Sequence, residues 1–168
     1  MQTPYRRSDK FKKVDTGPVF LTPEGHGRLK KELVDLKRAL PTYIAEAQRT
    51  AAHGDRSDNA EYKQAKGILR RANWRILEVE DQLKRVSVIP SSQGRMTAVQ
   101  LGATVVIELK NGERKTFRIL GSKETNPENG FISFQSPLGA ALMNKKKNDL
   151  IRIETPGGIS EYRILEIK

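Results

Sequence analysis

Two apolar stripes that mirror each other about a single midpoint constrain this chain more than any other feature. The first runs Leu29, Leu33, Leu36, Leu40, Ile44, Ala47, Ala51, in steps of 4, 3, 4, 4, 3 and 4. The second runs Tyr62, Ala65, Leu69, Ala72, Ile76, Val79, Leu83, Val86, with steps of 3 and 4 alternating throughout. Such spacing keeps all members on one face of a helix and is the mark of a coiled-coil seam. Two seams joined by a short polar connection pack as an antiparallel hairpin. Pairing Leu29 with Val86, Leu33 with Leu83, Leu36 with Val79 and Ala51 with Ala65 centres the turn on Asp58. The small residues meet nearest that turn, so the rod tapers there.

The ends of the first helix are also written locally. Thr22-Pro23-Glu24 supplies an N-cap hydroxyl, a proline at the first helical position and an acid in the first turn. Pro41 predicts a kink within the helix, and Gly54 predicts a left-handed cap at its end. A helix from Thr22 to Ala52 is about 45 Å long. A rod that long and two helices thick has little core, so it projects from whatever globular part follows.

That globular part is read from residues 91–168. Ala103 to Leu109 is a β-branched strand, Asn111-Gly112 a hairpin turn, and Arg114 to Leu120 the return strand. Phe131 to Phe134 is a further strand, and Ser136 to Leu142 a turn feeding a short helix. Leu150 to Thr155 and Ser160 to Ile167 are two more strands, joined by Pro156-Gly157-Gly158. The expected class is α+β: an N-terminal antiparallel α-helical coiled-coil hairpin, then a small mostly-β domain. The predicted organisation is a basic tail over 1–18, a coiled coil over 19–90 with an acidic tip near 55–61, and the β domain over 91–168.

Charge narrows the function. The 168 residues carry a net charge of +11. It is spread over the three segments: five basic against two acidic residues in the tail, 14 against 10 in the coil, and 12 against 8 in the β domain. This balance predicts a nucleic acid or a nucleic-acid machine as partner. The chain has no Cys and only two His, His26 and His53. A disulfide framework, a thiolate metal site and a Cys nucleophile are therefore excluded. No apolar run is long enough for a membrane span, and the polar N-terminus has no signal-like apolar stretch, so a cytoplasmic protein is expected.

The tip carries the candidate chemistry. It reads His53-Gly54-Asp55-Arg56-Ser57-Asp58-Asn59-Ala60-Glu61-Tyr62. Asp55 and Asp58 are hard oxygen donors, three residues apart across a turn, and suit Mg²⁺. Two acids on an exposed tip do not hold Mg²⁺ tightly alone, so the remaining ligands come from a partner. The competing local reading is a capping box, with Asp58 capping the second helix and Glu61 reaching back. Behind the tip, Lys63, Lys66, Arg70 and Arg71 have few acidic neighbours and read as an RNA-facing, phosphate-binding strip. Trp74 reads as partly buried on the side of the coil, with stacking on a base as the alternative.

These residues resemble one family. Gly54-Asp55-Arg56-Ser57-Asp58-Asn59-Ala60-Glu61-Tyr62 is similar to the tip motif of the bacterial Gre transcript-cleavage factors. Leu21-Thr22-Pro23-Glu24-Gly25, Leu101-Gly102-Ala103-Thr104-Val105, Phe117-Arg118-Ile119-Leu120-Gly121, Ser136-Pro137-Leu138-Gly139 and Thr155-Pro156-Gly157-Gly158 also match, so the resemblance covers about 19–168. It implies an FKBP-like C-terminal domain at the mouth of the secondary channel of bacterial RNA polymerase, with the coiled coil entering the channel. It implies a protein, expected to be monomeric, that is not itself an enzyme. Such a factor stimulates the polymerase's own cleavage of backtracked RNA near the nascent 3′ end. By the same resemblance, Asp55 and Asp58 are the catalytic acids that help hold a Mg²⁺ shared with the polymerase. The chain departs from the pattern at Asp58, where the family usually has Glu, and in the basic tail. The shorter acid keeps a second expectation open: a non-cleaving regulator of the same channel.

Overall fold

The computed structural model describes residues 17–52, 59–89, 96–155 and 158–168. A short strand β1 (Val19–Leu21) leads into α1 (Pro23–Ala51). Helix α2 (Ala60–Lys84) follows and gives way to β2 (Val86–Val88). Thr22 is the N-cap of α1, and its side chain accepts a hydrogen bond from the Gly25 N–H, as the sequence predicts. Pro41 lies inside α1, which runs on past it to Ala51. The predicted cap residue Gly54 and the turn centre at Asp58 lie outside the described residues.

The two helices pack against each other along their seams. Ala47, Ala65, Ala72, Ile76 and Val79 are buried between them. Three details differ from the sequence reading. Ile44 is exposed, because the two successive steps of four that lead to it each overshoot a helical turn by about 40° and carry it to the edge of the stripe. Thr50 and Gln82 are buried, and both side chains find partners: Thr50 donates to the Glu46 carbonyl, and Gln82 donates to Glu78. Val86 leaves the seam altogether. It sits on β2 opposite Val19, in a two-stranded parallel pairing that closes the root of the coil.

The remaining strands and α-helix are β3 (Thr104–Leu109), β4 (Arg114–Leu120), β5 (Phe131–Ser133), α3 (Pro137–Leu142), β6 (Leu150–Thr155) and β7 (Gly158–Ile167), with a short 3-10 turn (Pro127–Asn129) between β4 and β5. The five strands form one sheet in the order β5-β4-β3-β7-β6. All neighbours are antiparallel except β4 and β5. Alternate residues of β3, Val105 and Ile107, are fully buried, as a strand with one face on a core requires. Val99, Ile119, Leu142, Ile151 and Ile164 complete that core, with α3 closing over it. The α+β reading, a helical hairpin followed by a mostly-β domain, is what the chain adopts.

The coil root and the β domain touch through specific contacts. The rings of Phe20 and Phe134 meet edge to face with centroids 5.5 Å apart. Gly121 lies so close to the Phe20 carbonyl that a Cβ there would overlap it. Glu124, on the loop after β4, reaches the first turn of α1.

Candidate functional site

The far end of the rod is finished by a side chain that the capping-box reading passed over. Asn59 caps α2, and its Oδ1 accepts from the Tyr62 N–H at 2.9 Å. Its Nδ2 donates to the Thr50 carbonyl at 2.8 Å, tying the start of α2 to the end of α1. One amide therefore does two jobs, satisfying an orphan N–H of one helix and an orphan carbonyl of the other. The cap role read for Asp58 thus falls to Asn59. Asn and Asp are about equally good capping residues, so local sequence alone does not choose between these two neighbours. Asp55 and Asp58, the acids read as catalytic and metal-binding, lie outside the described residues, as does His53. Among the described residues, no group of three or more acidic, His or Cys side chains is placed to hold a metal ion.

The basic strip is described in full. Lys63, Lys66, Arg70 and Arg71 are all exposed on the tip-ward half of α2. Among the described residues none of the four has an acidic partner. Lys66 places its Nζ 5.6 Å from the centroid of the Tyr62 ring, a cation–π contact one helical turn apart. Lys63, Lys66, Gly67, Leu69, Arg70 and Asn73 line a shallow depression of about 450 Å³. Trp74 continues the same side of the helix and is 65% exposed, so its reading as partly buried is overturned. Leu77, a turn further on, is 64% exposed. Both lie on the opposite side of α2 from the buried seam, so nothing in the hairpin covers them.

The root half of the rod contrasts with the strip. Arg75 on α2 grips Glu32 on α1 through two hydrogen bonds, at 2.6 and 2.9 Å, and also reaches Glu78. The hydrogen bond to Glu32, ahead of the one to Glu78, raises the guanidinium's pKa above its already high ordinary value. Lys37 crosses to Glu80 at 2.6 Å and holds that carboxyl below the usual carboxylate range.

Comparison with known proteins assigns this arrangement. Residues 19–88 match the family described as "Transcription elongation factor, N-terminal". Residues 94–168 match "Transcription elongation factor, GreA/GreB, C-term". The chain belongs to the GreA/GreB family of transcription elongation factors. Among similar proteins is the transcription elongation factor GreA of Thermosipho melanesiensis, 39% identical over 152 residues, covering 89% of this chain and 96% of the relative. GreA of Pelagibacter ubique is 38% identical over 161 residues, covering 92% and 99%. A solved structure of the GreA homologue Gfh1 from Thermus thermophilus is 28% identical, covers 90% of this chain and 99% of its own, and superposes with a TM-score of 0.41. The assignment rests on the sequence matches, which cover both the hairpin and the β domain. No helix among the described residues is long and apolar enough to cross a membrane.

Proposed function

We propose that this chain binds bacterial RNA polymerase, inserts its coiled coil into the secondary channel and stimulates the polymerase's own cleavage of backtracked RNA. The observation that carries the reading is a two-helix rod, matched along its length to elongation factors, in which Asn59 caps α2 and ties its start to the end of α1. Asp55 and Asp58 offer hard carboxylate oxygens suited to Mg²⁺, and this chain supplies too few of them to hold the ion unaided. The ion is therefore shared with the polymerase, where it supplies Lewis-acid stabilisation for phosphodiester hydrolysis. The chain's own part is to deliver and orient the two carboxylates at the RNA 3′ end, as a cytoplasmic monomer and not as an enzyme in its own right. Lys63, Lys66, Arg70 and Arg71, lacking acidic partners among the described residues, face the RNA phosphates.

The test is transcript cleavage on a stalled, backtracked complex with Mg²⁺. The unsubstituted chain releases 3′ RNA fragments. Asp55→Ala and Asp58→Ala each lower the rate about a hundredfold or more while leaving polymerase binding intact, the loss expected when a reacting group is no longer positioned. Equal rates in all three proteins would remove the tip acids from the reaction. Asp58 in place of the family's usual Glu favours one alternative, a non-cleaving regulator of the same channel. Its signature is slowed nucleotide addition without any fragment release.

A further inference from the structure

The contact between Glu124 and the first turn of α1 is built more closely than a chance meeting of two surfaces. The Glu124 side chain is 6% exposed. Its Oε2 accepts from the Thr22 backbone N–H at 2.6 Å. Its Oε1 accepts from the Thr22 hydroxyl at 2.7 Å and from Nη2 of Arg28 at 3.0 Å. The same hydroxyl accepts from the Gly25 N–H at 3.0 Å, so a helix donor, the hydroxyl and the carboxylate form a continuous chain. A carboxylate is the group a helix N-terminus favours, because the unpaired N–H groups and the macrodipole present positive charge there. Gly25 makes the approach possible, since a Cβ at that position would overlap Oε1 of Glu124.

The partners come from opposite parts of the molecule, Thr22 from the coil root and Glu124 from the β domain, 102 residues apart in sequence. Helix α1 spans 29 residues and is about 43 Å long. A swing of about 5° at its root moves its far end by about 4 Å, for a rod of that length. Chemistry that depends on the tip is sensitive to displacements of about 1 Å. The direction in which the rod leaves the β domain is therefore a quantity the fold must fix. Near the axis of that swing, Glu124 is the side chain that joins the helix start to the sheet by three hydrogen bonds.

We propose that Glu124 is a positioning residue that sets the aim of the coiled coil relative to the β domain. Its consequence for RNA cleavage rests on the proposed function above, whereas its effect on the direction of the rod does not. The chain has no native Cys. Spin labels on Gln48→Cys, towards the far end of α1, and Glu154→Cys, on β6, therefore report a single distance by pulsed electron resonance. With Glu124 intact the distance distribution is narrow. Glu124→Ala broadens it or shifts it by several ångströms, and the isosteric Glu124→Gln does so to a smaller extent. Glu124→Gln removes the charge and puts an amide opposite one of the donors, without changing side-chain volume. An unchanged distribution in Glu124→Ala overturns the proposal; should that variant lose its helical circular dichroism, an unchanged distribution in Glu124→Gln overturns it instead. In the cleavage assay, Glu124→Ala lowers the rate at saturating factor about tenfold with little change in the half-saturating concentration. A purely structural loss would instead raise the half-saturating concentration and leave the saturated rate alone. If the unsubstituted chain releases no fragments, the function reading fails, and the distance measurement still decides the role of Glu124.

Discussion

The two halves of α2 are built from the same residue types to different ends. In the root half, Arg75 and Arg85 have acids within reach: Glu32 and Glu78 for the first, Asp81 for the second. In the tip-ward half, Lys63, Lys66, Arg70 and Arg71 stand exposed with no acidic partner among the described residues. Within the helix the second group makes one cation–π contact, Lys66 over the Tyr62 ring, and no ion pair among the described residues. Four unpaired cations on one side of a rod repel each other, a small cost to the fold that an external polyanion would relieve. The comparison separates cations that hold the hairpin together from cations aimed outward, a distinction that composition and net charge alone do not make.

The sharpest way to break this comparison is to neutralise the outward group. Replacing Lys63, Lys66, Arg70 and Arg71 together with Ala leaves the melting temperature unchanged or slightly higher, since Ala is the better helix former. Binding of a single-stranded RNA oligonucleotide, read by fluorescence anisotropy, weakens, and its log–log salt slope falls by about 0.7 for each phosphate contact removed. A variant with an unaltered salt slope would return the strip to ordinary solvated surface.

The opposite result is expected in the root half. Arg75→Ala leaves Glu32 and Glu78 facing the same gap without their shared cation. Thermal unfolding then registers a loss of about 1 kcal/mol, the upper end for an ion pair still screened by solvent. Arg71→Ala, one turn nearer the tip, registers none. Equal effects at the two positions would erase the distinction between the halves.

At the very end of the rod, Asn59 and Asp58 make a matched pair of substitutions. Asn59→Ala removes the cap of α2 and the tie to Thr50, and costs about 1 kcal/mol, the usual loss for a cap. Asp58→Ala is expected to change stability by no more than about 0.5 kcal/mol, the usual range for a substitution away from a cap or a core, and to act on cleavage instead. A large loss of stability in Asp58→Ala would restore the capping-box reading that Asn59 displaced.

How much of this was legible in the chain depends on the range of the interaction. The helices were legible because heptad spacing and the Thr22-Pro23-Glu24 start are local signals, and β4 is bounded as its sequence suggests, from Arg114 to Leu120. Strands β1 and β2 were not, because Val-Phe-Leu and Val-Ser-Val are too short to show a period. They exist only by pairing with each other across the whole hairpin. The clasp of Glu124 on Thr22 was hidden for the same reason, and so was the burial of Gln82, a polar residue whose amide is satisfied by Glu78. Of the candidate site, the exposed strip could be read from the scarcity of acids near Lys63 to Arg71. The cap could not, because Asp58 and Asn59 are both good caps and only the fold chooses between them.

The smallest expected effect is on acid stability, and it sharpens the comparison from the side of the acids. Glu80 is held below its ordinary value of 4.5 by the hydrogen bond from Lys37. Asp35 is held below its ordinary 3.8 by Lys31, and Glu46 below 4.5 by Arg49. A carboxyl whose pKa is lower folded than unfolded contributes stability that is fully present above the unfolded value. That contribution is lost as the pH falls through the folded value. Helical circular dichroism of the hairpin should therefore hold steady from neutral pH down to about 4.5 and decline modestly below it. Lys37→Ala removes the cause of the Glu80 shift, so its acid transition should be shallower than that of the unsubstituted chain. Lys66→Ala, which removes a cation with no acidic partner among the described residues, should leave the transition where it is. If both variants titrate alike, the cations of the two halves are equivalent to the fold, and the outward strip loses the contrast that sets it apart.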